Sequence, residues 1–325
     1  ADLLGSRLAE LPAVQRRLLL AIALGPAASP AQLADLAGGP GELEAAPDAG
    51  VLVGEGDRVR PAHPLLASVA AATATAGELR SLHRELAEVA SGEEARARHL
   101  ALATTTPDRD LAATIAAAAG HARARGDTLQ AVEFAEHALR LTPADSAERG
   151  ERVVALADHT LVAGHPAVAT RLLVEEFGGL PRGTIRARAH LLLAEGDEVS
   201  SASDVERHME AALAEARGDT AIEATALGRR AEYAALCSLE GIAAAEAGAE
   251  RGLRIADDAD AERFALNGLG WTRILRGRSV DDLCRRFDSL SDSVFHLADS
   301  PHRLVALRHL WRGELAEARA IFDRL

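Results

Sequence analysis

A short motif recurs along this chain and constrains its fold more than any other feature: a helical stretch ends at a glycine, and a second amphipathic stretch begins within a few residues. The glycines are Gly126, Gly164, Gly196, Gly241, Gly277 and Gly313, spaced by 38, 32, 45, 36 and 36 residues. The segments that follow them, such as DTLQAVEFAEHAL after Gly126 and ELAEARAIFDRL after Gly313, carry apolar residues at helical spacing. A two-helix repeat of roughly 35–40 residues predicts an α-solenoid, because one pair cannot bury its apolar face alone and stacked pairs can. Such a stack is a recognition surface and only rarely a catalytic pocket.

Composition agrees and removes several functions. The 325 residues suit about two domains. Hydrophobic residues make up 48% but aromatics only 3%, an alanine- and leucine-rich mix that favours packed helices over a β-rich core. All 36 basic residues are arginine. With no lysine, neither a phosphate loop of the GKS/GKT type nor Schiff-base chemistry can exist in this chain. No GxSxG nucleophile elbow occurs, so no enzyme is expected. The net charge of −13, with no basic run longer than two residues, argues against direct nucleic-acid binding. No apolar run approaches the roughly 20 residues that span a bilayer, so no membrane role is expected. Cys237 and Cys284 lie alone in helical patterns and read as reduced, buried small hydrophobes, which suits the cytoplasm.

Residues 1–100 read differently from residues 101–325. LPAVQRRLLLAIAL (11–24) is an amphipathic helix. Ser29, Pro30 and Gln32 form a helix start with a capping box. A third helix, GELEAAPDAG, ends at Gly50, and VLVGEGDRVRPAH then alternates as a β-hairpin near 51–60. Helices at about 64–74 and 77–90 follow. Helix-helix-helix-hairpin is the order of a small winged-helix domain. Beyond it all is helical pairs. Gly126 ends one helix, Asp127 caps the next, and Leu129, Val132, Ala135 and Leu139 form its expected buried stripe. In the last pair Leu304, Leu307, Leu310, Trp311, Leu315, Ala318, Ile321, Phe322 and Leu325 are expected on the core face. The chain opens mid-pattern and closes without a polar cap, and reads as a piece of a longer protein.

The run LEAAPDAGVLVGEGDRVRPAHPLL, then ELRSLHRELAEVA, then ARARHLALATTTPDRDLAATIAAAAGHARARGDTLQAVEFAEHALRLTP, resembles the middle of a large LuxR-family regulator. These are ATP-binding regulators of the STAND class, similar to the maltose regulator of enteric bacteria. The resemblance covers about 40–142 and implies a nucleotide-binding domain, a winged helix, TPR-like (tetratricopeptide-like) repeats and a C-terminal LuxR-type helix-turn-helix. The phosphate loop and the DNA-reading element are absent from this chain. What remains resembles the winged helix and the sensor repeats, which in the family receive an inducer or protein partner and relieve autoinhibition. No cofactor is expected in this chain itself; ATP or ADP is expected in an upstream domain. The implied partners are that unknown inducer or protein and the parent's own nucleotide- and DNA-binding domains. A stand-alone TPR-like interaction scaffold is the alternative.

Candidate residues divide accordingly. The would-be recognition helix carries Glu42, Glu44 and Asp48, no arginine, and Pro47, so its winged helix reads as structural. His63, in RPAHPLL, matches the family position where a histidine touches the bound nucleotide's phosphate; the plain alternative is a cap for the next helix. The twelve histidines are scattered, His296, His302 and His309 forming the nearest group, and no metal site is expected. Asp257, Asp258 and Asp260 lack DDxxD spacing and read as loop, and Asp281-Asp282 as a helix start. Trp271 and Trp311 are core residues or, where a ring faces an inner groove, ligand anchors; Tyr233 and Asn267 are further groove candidates.

Overall fold

The structure, a computed structural model, describes residues 10–25, 28–45, 52–55, 58–196, 202–216, 218–237, 241–290 and 300–325. It is mainly helical, with one two-stranded sheet among the described residues. The chain forms two compact units, Ala1–Gly120 with Glu133–Ser146, and His121–Val132 with Ala147–Leu325. The boundary expected at 100/101 does not coincide with this division. Arg98 and Arg140 tie the residues on either side of that point together inside the first unit: Arg98 pairs with Glu133 at 2.7 Å, and Arg140 donates to the Thr104 carbonyl at 2.9 Å.

The first unit begins with α1 (Ala13–Leu24), α2 (Pro30–Ala37) and α3 (Pro40–Ala45). The strands β1 (Leu52–Glu55) and β2 (Arg58–Pro61) pair antiparallel in the register Leu52–Pro61. Then come α4 (Pro64–Thr73), α5 (Ala76–Val89) and α6 (Glu93–Ala103). The start of α2 follows from three residues: Ser29 Oγ accepts from the Gln32 N–H at 3.3 Å, Gln32 Oε1 accepts from the Ser29 N–H at 2.7 Å, and Pro30 presets the first helical φ. Thr75 and Glu78 repeat the device at α5. One core collects Leu18 and Leu19 of α1, Leu33 and Leu36 of α2, Leu52 of β1, Leu66 of α4 and Leu82 and Leu86 of α5. Pro47 and Asp48 of the would-be recognition helix lie outside the described residues.

Helices α7 (Arg109–Ala124) and α8 (Thr128–Leu141) are shared between the units. The expected stripe of α8 is out of phase. Ala131, Phe134, Ala135, Ala138 and Leu141 are buried, while Leu129 is 70% exposed. Periodicity sets the width of an apolar stripe, but in an alanine-rich helix it leaves the angle open, because alanines serve wherever helices approach closely.

The second unit continues with α9 (Arg149–Val162), α10 (Pro166–Glu176), a 3₁₀ turn at Phe177–Gly179, α11 (Thr184–Gly196), α12 (Ala202–Glu215), α13 (Thr220–Cys237) and α14 (Ile242–Ile255). It closes with α15 (Ala259–Leu275), α16 (Asp281–Asp288), α17 (Pro301–Trp311) and α18 (Leu315–Phe322). Each helix packs on the next, and α9, α11, α13, α15 and α17 also pack in series. Four turns are built alike. Asp127, His165, Arg278 and Glu314 each donate a backbone N–H to the carbonyl five residues back, at 3.0, 3.1, 2.8 and 3.0 Å. The preceding residues, Gly126, Gly164, Gly277 and Gly313, take left-handed φ of 81°, 85°, 72° and 79°. Gly196 departs from the pattern: it is the last residue of α11, and a Cβ there would lie 2.5 Å from Thr170 Oγ1. Its role is close helix contact and not the turn.

Side chains also bond across separations of 35 to 39 residues. Arg123 pairs with Asp158 at 3.1 Å, Thr184 donates to Asp219 at 3.1 Å, Thr220 donates to Asp257, and Tyr233 donates to the Ala194 carbonyl at 3.0 Å. Glycines set the closest approach. A Cβ on Gly228 of α13 would sit 2.4 Å from the Phe264 carbonyl oxygen of α15, so these backbones touch directly. Glu246, only 2% exposed, is held by Arg276, by Arg278 at 2.7 Å and by Arg273 at 3.9 Å, which anchors α14 to the α15 end.

Two burial expectations are corrected. Cys284 is buried, whereas Cys237 is exposed because it is the final residue of α13. In the last pair Leu304 and Ala318 are buried, but Leu310, Trp311, Leu315 and Leu325 are 45%, 56%, 63% and 37% exposed. Among the described residues, those apolar side chains have no element over them that would bury them.

Candidate functional site

A cavity of about 390 Å³ lies where α12, α13 and α14 meet in the second unit. Its inner surface is Val205 and Leu227, both buried, with Ala234 and the ring of Tyr233 beside them. The α14 side contributes Gly241, Ala244, Ala245 and Gly248, residues too small to fill the space opposite. Toward solvent stand Cys237 and the ion pair of Glu206 and Arg230, 2.5 Å apart, with side chains 44% and 40% exposed. The volume is in the range of small-molecule sites, and a mostly apolar lining with few polar groups is their usual chemistry.

Tyr233 is fixed at both ends. Its ring packs against the cluster of Leu191, Val205, Met209 and Ile222. Its hydroxyl donates to the Ala194 carbonyl at 3.0 Å. Burial, and then the nearby Glu195 carboxylate, pushes its pKa up to about 12, so the phenol stays protonated at neutral pH. It offers a ligand an apolar face and no general base.

Comparison with protein-family models, with curated proteins and with solved structures returns no match for this chain.

The other groove candidates gather elsewhere in the unit. Trp271 on α15 is 6% exposed and Trp311 on α17 is 56% exposed; their rings lie 6.4 Å apart. The Arg303 guanidinium sits 5.5 Å from the Trp271 ring. Asn267, one turn before Trp271, is 1% exposed, and neither of its amide atoms has a hydrogen-bond partner; Trp271 Nε1 also lacks one. Orphaned buried polar atoms cost stability, roughly 1–3 kcal/mol each. Tyr233 belongs to a different side-chain cluster from Trp271.

His63 lies in the first unit, exposed at the start of α4. Its Nδ1 accepts from the Leu65 N–H at 3.2 Å, which is the helix-capping role. That bond places the proton of the neutral ring on Nε2, the nitrogen still available as a donor.

The scattered histidines are brought together in ways spacing does not reveal. His302 bonds to Asp288 and His309 to Glu314, so they do not meet each other, and His296 lies outside the described residues. Instead His83 and His99 meet Nδ1 to Nδ1 at 3.0 Å between α5 and α6, and His190 and His208 do the same at 3.0 Å between α11 and α12. Burial, then the partner ring, pulls His83 and His190 down to about 4. Among the described residues no group of three or more His, Cys, Asp or Glu side chains is arranged to hold a metal ion. No described helix is long and apolar enough to cross a membrane.

Asp258 caps α15, accepting from the Ala261 N–H at 2.7 Å, and Asp281 and Asp282 open α16. Sequence reasoning did not single out Glu206, Arg230, Ala245 or Gly248. The available signal was a glycine inside an otherwise helical segment, which marks a packing or functional position.

Proposed function

We propose that this chain is the sensor region of an ATP-dependent, LuxR-family transcriptional regulator, a structural winged helix followed by an α-solenoid of TPR-like hairpins. It receives an inducer or a protein partner and controls autoinhibition of the parent molecule in the cytoplasm, performing no bond chemistry itself. The single observation that carries the reading is the cavity at Tyr233, framed by α12, α13 and α14, of which α13 packs on both its next and its next-but-one neighbours. A ligand held between successive hairpins shifts the parent between closed and open states by its difference in affinity for the two. The three short helices and hairpin on one core support the winged-helix assignment. His63, with Nε2 as its available donor, supports a phosphate contact in the parent protein.

The test is on the parent gene product. Sequence on either side of this region should encode a GKS/GKT loop upstream and a helix-turn-helix downstream. Deleting residues 147–325 should make its DNA binding independent of inducer. A parent without those flanks would overturn the reading. A second reading, the stand-alone TPR-like scaffold, is favoured by the exposed Leu310, Trp311 and Leu315 of the last pair, which suit a protein partner. Affinity capture on a Trp311→Ala, Leu315→Ser variant separates the two: loss of a defined partner supports the scaffold.

A further inference from the structure

We propose that the cavity between α12, α13 and α14 binds a small, uncharged, largely aliphatic molecule with one hydrogen-bonding end, seated on Val205 and Leu227 with its polar end at Glu206 and Arg230. This deepens the ligand-receiving reading above and rests on it for its biological meaning, but not for its chemistry.

Three observations lead there. The first is space that the helices do not need. Gly248 lies inside α14 with no left-handed φ, and a Cβ there would meet only Leu227 Cδ2, at 3.7 Å. A glycine in a helix interior weakens the helix, so what Gly248 supplies is room. Ala245, one turn earlier, enlarges the same room.

The second is the lining. Apart from the tyrosine ring and the Glu206–Arg230 pair on the solvent side, it is aliphatic side chains and small residues, a surface that gains by losing water to an apolar guest. The Tyr233 hydroxyl is already committed to Ala194, so the ring presents carbon.

The third is charge. Among the described lining residues the two ionic groups are opposite in sign and paired with each other at 2.5 Å. The described lining therefore offers a ligand no net charge. A carboxylate would have to displace Glu206 from Arg230, and an ammonium would have to displace Arg230 from Glu206. Either leaves a like-charged group nearby, whereas a hydroxyl or carbonyl can bond to the edge of the intact pair.

The experiment uses the full chain with three probes of one length: 1-octanol, octanoate and octylammonium, titrated by calorimetry at pH 7.5. Octanol should bind, and the two ions should bind at least ten-fold more weakly. Gly248→Leu and Ala245→Leu, with helicity checked by circular dichroism, should each abolish octanol binding. An independent readout needs no variant. Cys237 is exposed at the cavity and Cys284 is buried, so a thiol reagent labels Cys237 selectively, and octanol should slow that labelling several-fold. Failure of octanol to bind, an equal or stronger response to either ion, or binding and labelling unaffected by Gly248→Leu would overturn the proposal. Failure here would leave the regulator reading to its own test, the sequence on either side of this region. Octanol binding to this chain, with no effect of any such ligand on the parent's DNA binding, would count against the regulator reading and leave the site intact.

Discussion

Replacing Gly228 by alanine should destabilise the second unit although alanine is the better helix former. An ideal Cβ at this position falls 2.4 Å from the Phe264 carbonyl oxygen, 2.5 Å from its carbon and 2.7 Å from the Ala265 nitrogen. All three are backbone atoms of α15, so no side chain can swing aside, and the helices must separate. Overpacking costs about 1–3 kcal/mol, and a clash with three backbone atoms belongs to the upper part of that range, about 2–3 kcal/mol; the propensity gain of about 1 kcal/mol returns only part of it. The expected net loss is about 1–2 kcal/mol, a fall in Tm of roughly 2–8 °C for a unit of this size. Gly248→Ala is the matched control: its Cβ meets Leu227 Cδ2 at an ordinary 3.7 Å, so it should stabilise by about 0.5–1 kcal/mol. Both tryptophans, Trp271 and Trp311, lie in the second unit, so urea unfolding followed by tryptophan fluorescence reports on that unit selectively. If Gly228→Ala and Gly248→Ala shift the midpoint in the same direction, the direct backbone contact of α13 and α15 is refuted.

Three further outcomes follow from the same structure. Asn267→Leu should raise stability by about 1–3 kcal/mol, because it removes two buried amide atoms that have no partner; a drop in the urea midpoint would mean that the amide is satisfied in solution. Glu246→Ala should cost about 1–3 kcal/mol, since it removes the buried carboxylate that holds the part-exposed Arg276 and Arg278 and leaves Arg273 to Asp282 alone; an unchanged urea midpoint would contradict that arrangement. His83 and His190 are held near 4 in the folded chain against about 6.5 unfolded, so the unfolded state binds more protons between those values. Stability should fall as pH drops from about 6.5 to about 4, and the double variant His83→Gln, His190→Gln should lose measurably less Tm over that window; an unchanged slope would refute the buried His83–His99 pair and the half-buried His190–His208 pair.

Much of the local structure was legible because it is encoded within a few residues. Ser29-Pro30-Ala31-Gln32 announces its own helix start, and Gly126-Asp127 its own turn, since each satisfies backbone groups three to five positions away. The hairpin was legible from alternation and its turn glycines. The phase of α8 was not, because Leu129 and Phe134 are equally apolar and only the neighbouring helices decide which is covered. Gly196 carries the same letter as Gly126 but packs on Thr170 where Gly126 turns the chain. Of the groove candidates, Tyr233 lines a cavity, Trp271 and Asn267 are buried, and Trp311 is largely exposed. Nothing in the spacing of four aromatic or amide residues distinguishes those fates.

By itself, then, the amino-acid order determined a mainly helical chain, the glycine turns at Gly126, Gly164, Gly277 and Gly313, and the exclusion of lysine-dependent chemistry. Those properties depend on backbone hydrogen bonding and residue inventory, which act over a few positions. Only the tertiary structure decided which faces are buried, which histidines meet, and where a cavity remains. Each of these depends on pairs of residues brought together across different helices, and the close approach of α13 to α15 at Gly228 is visible only once both backbones are in place.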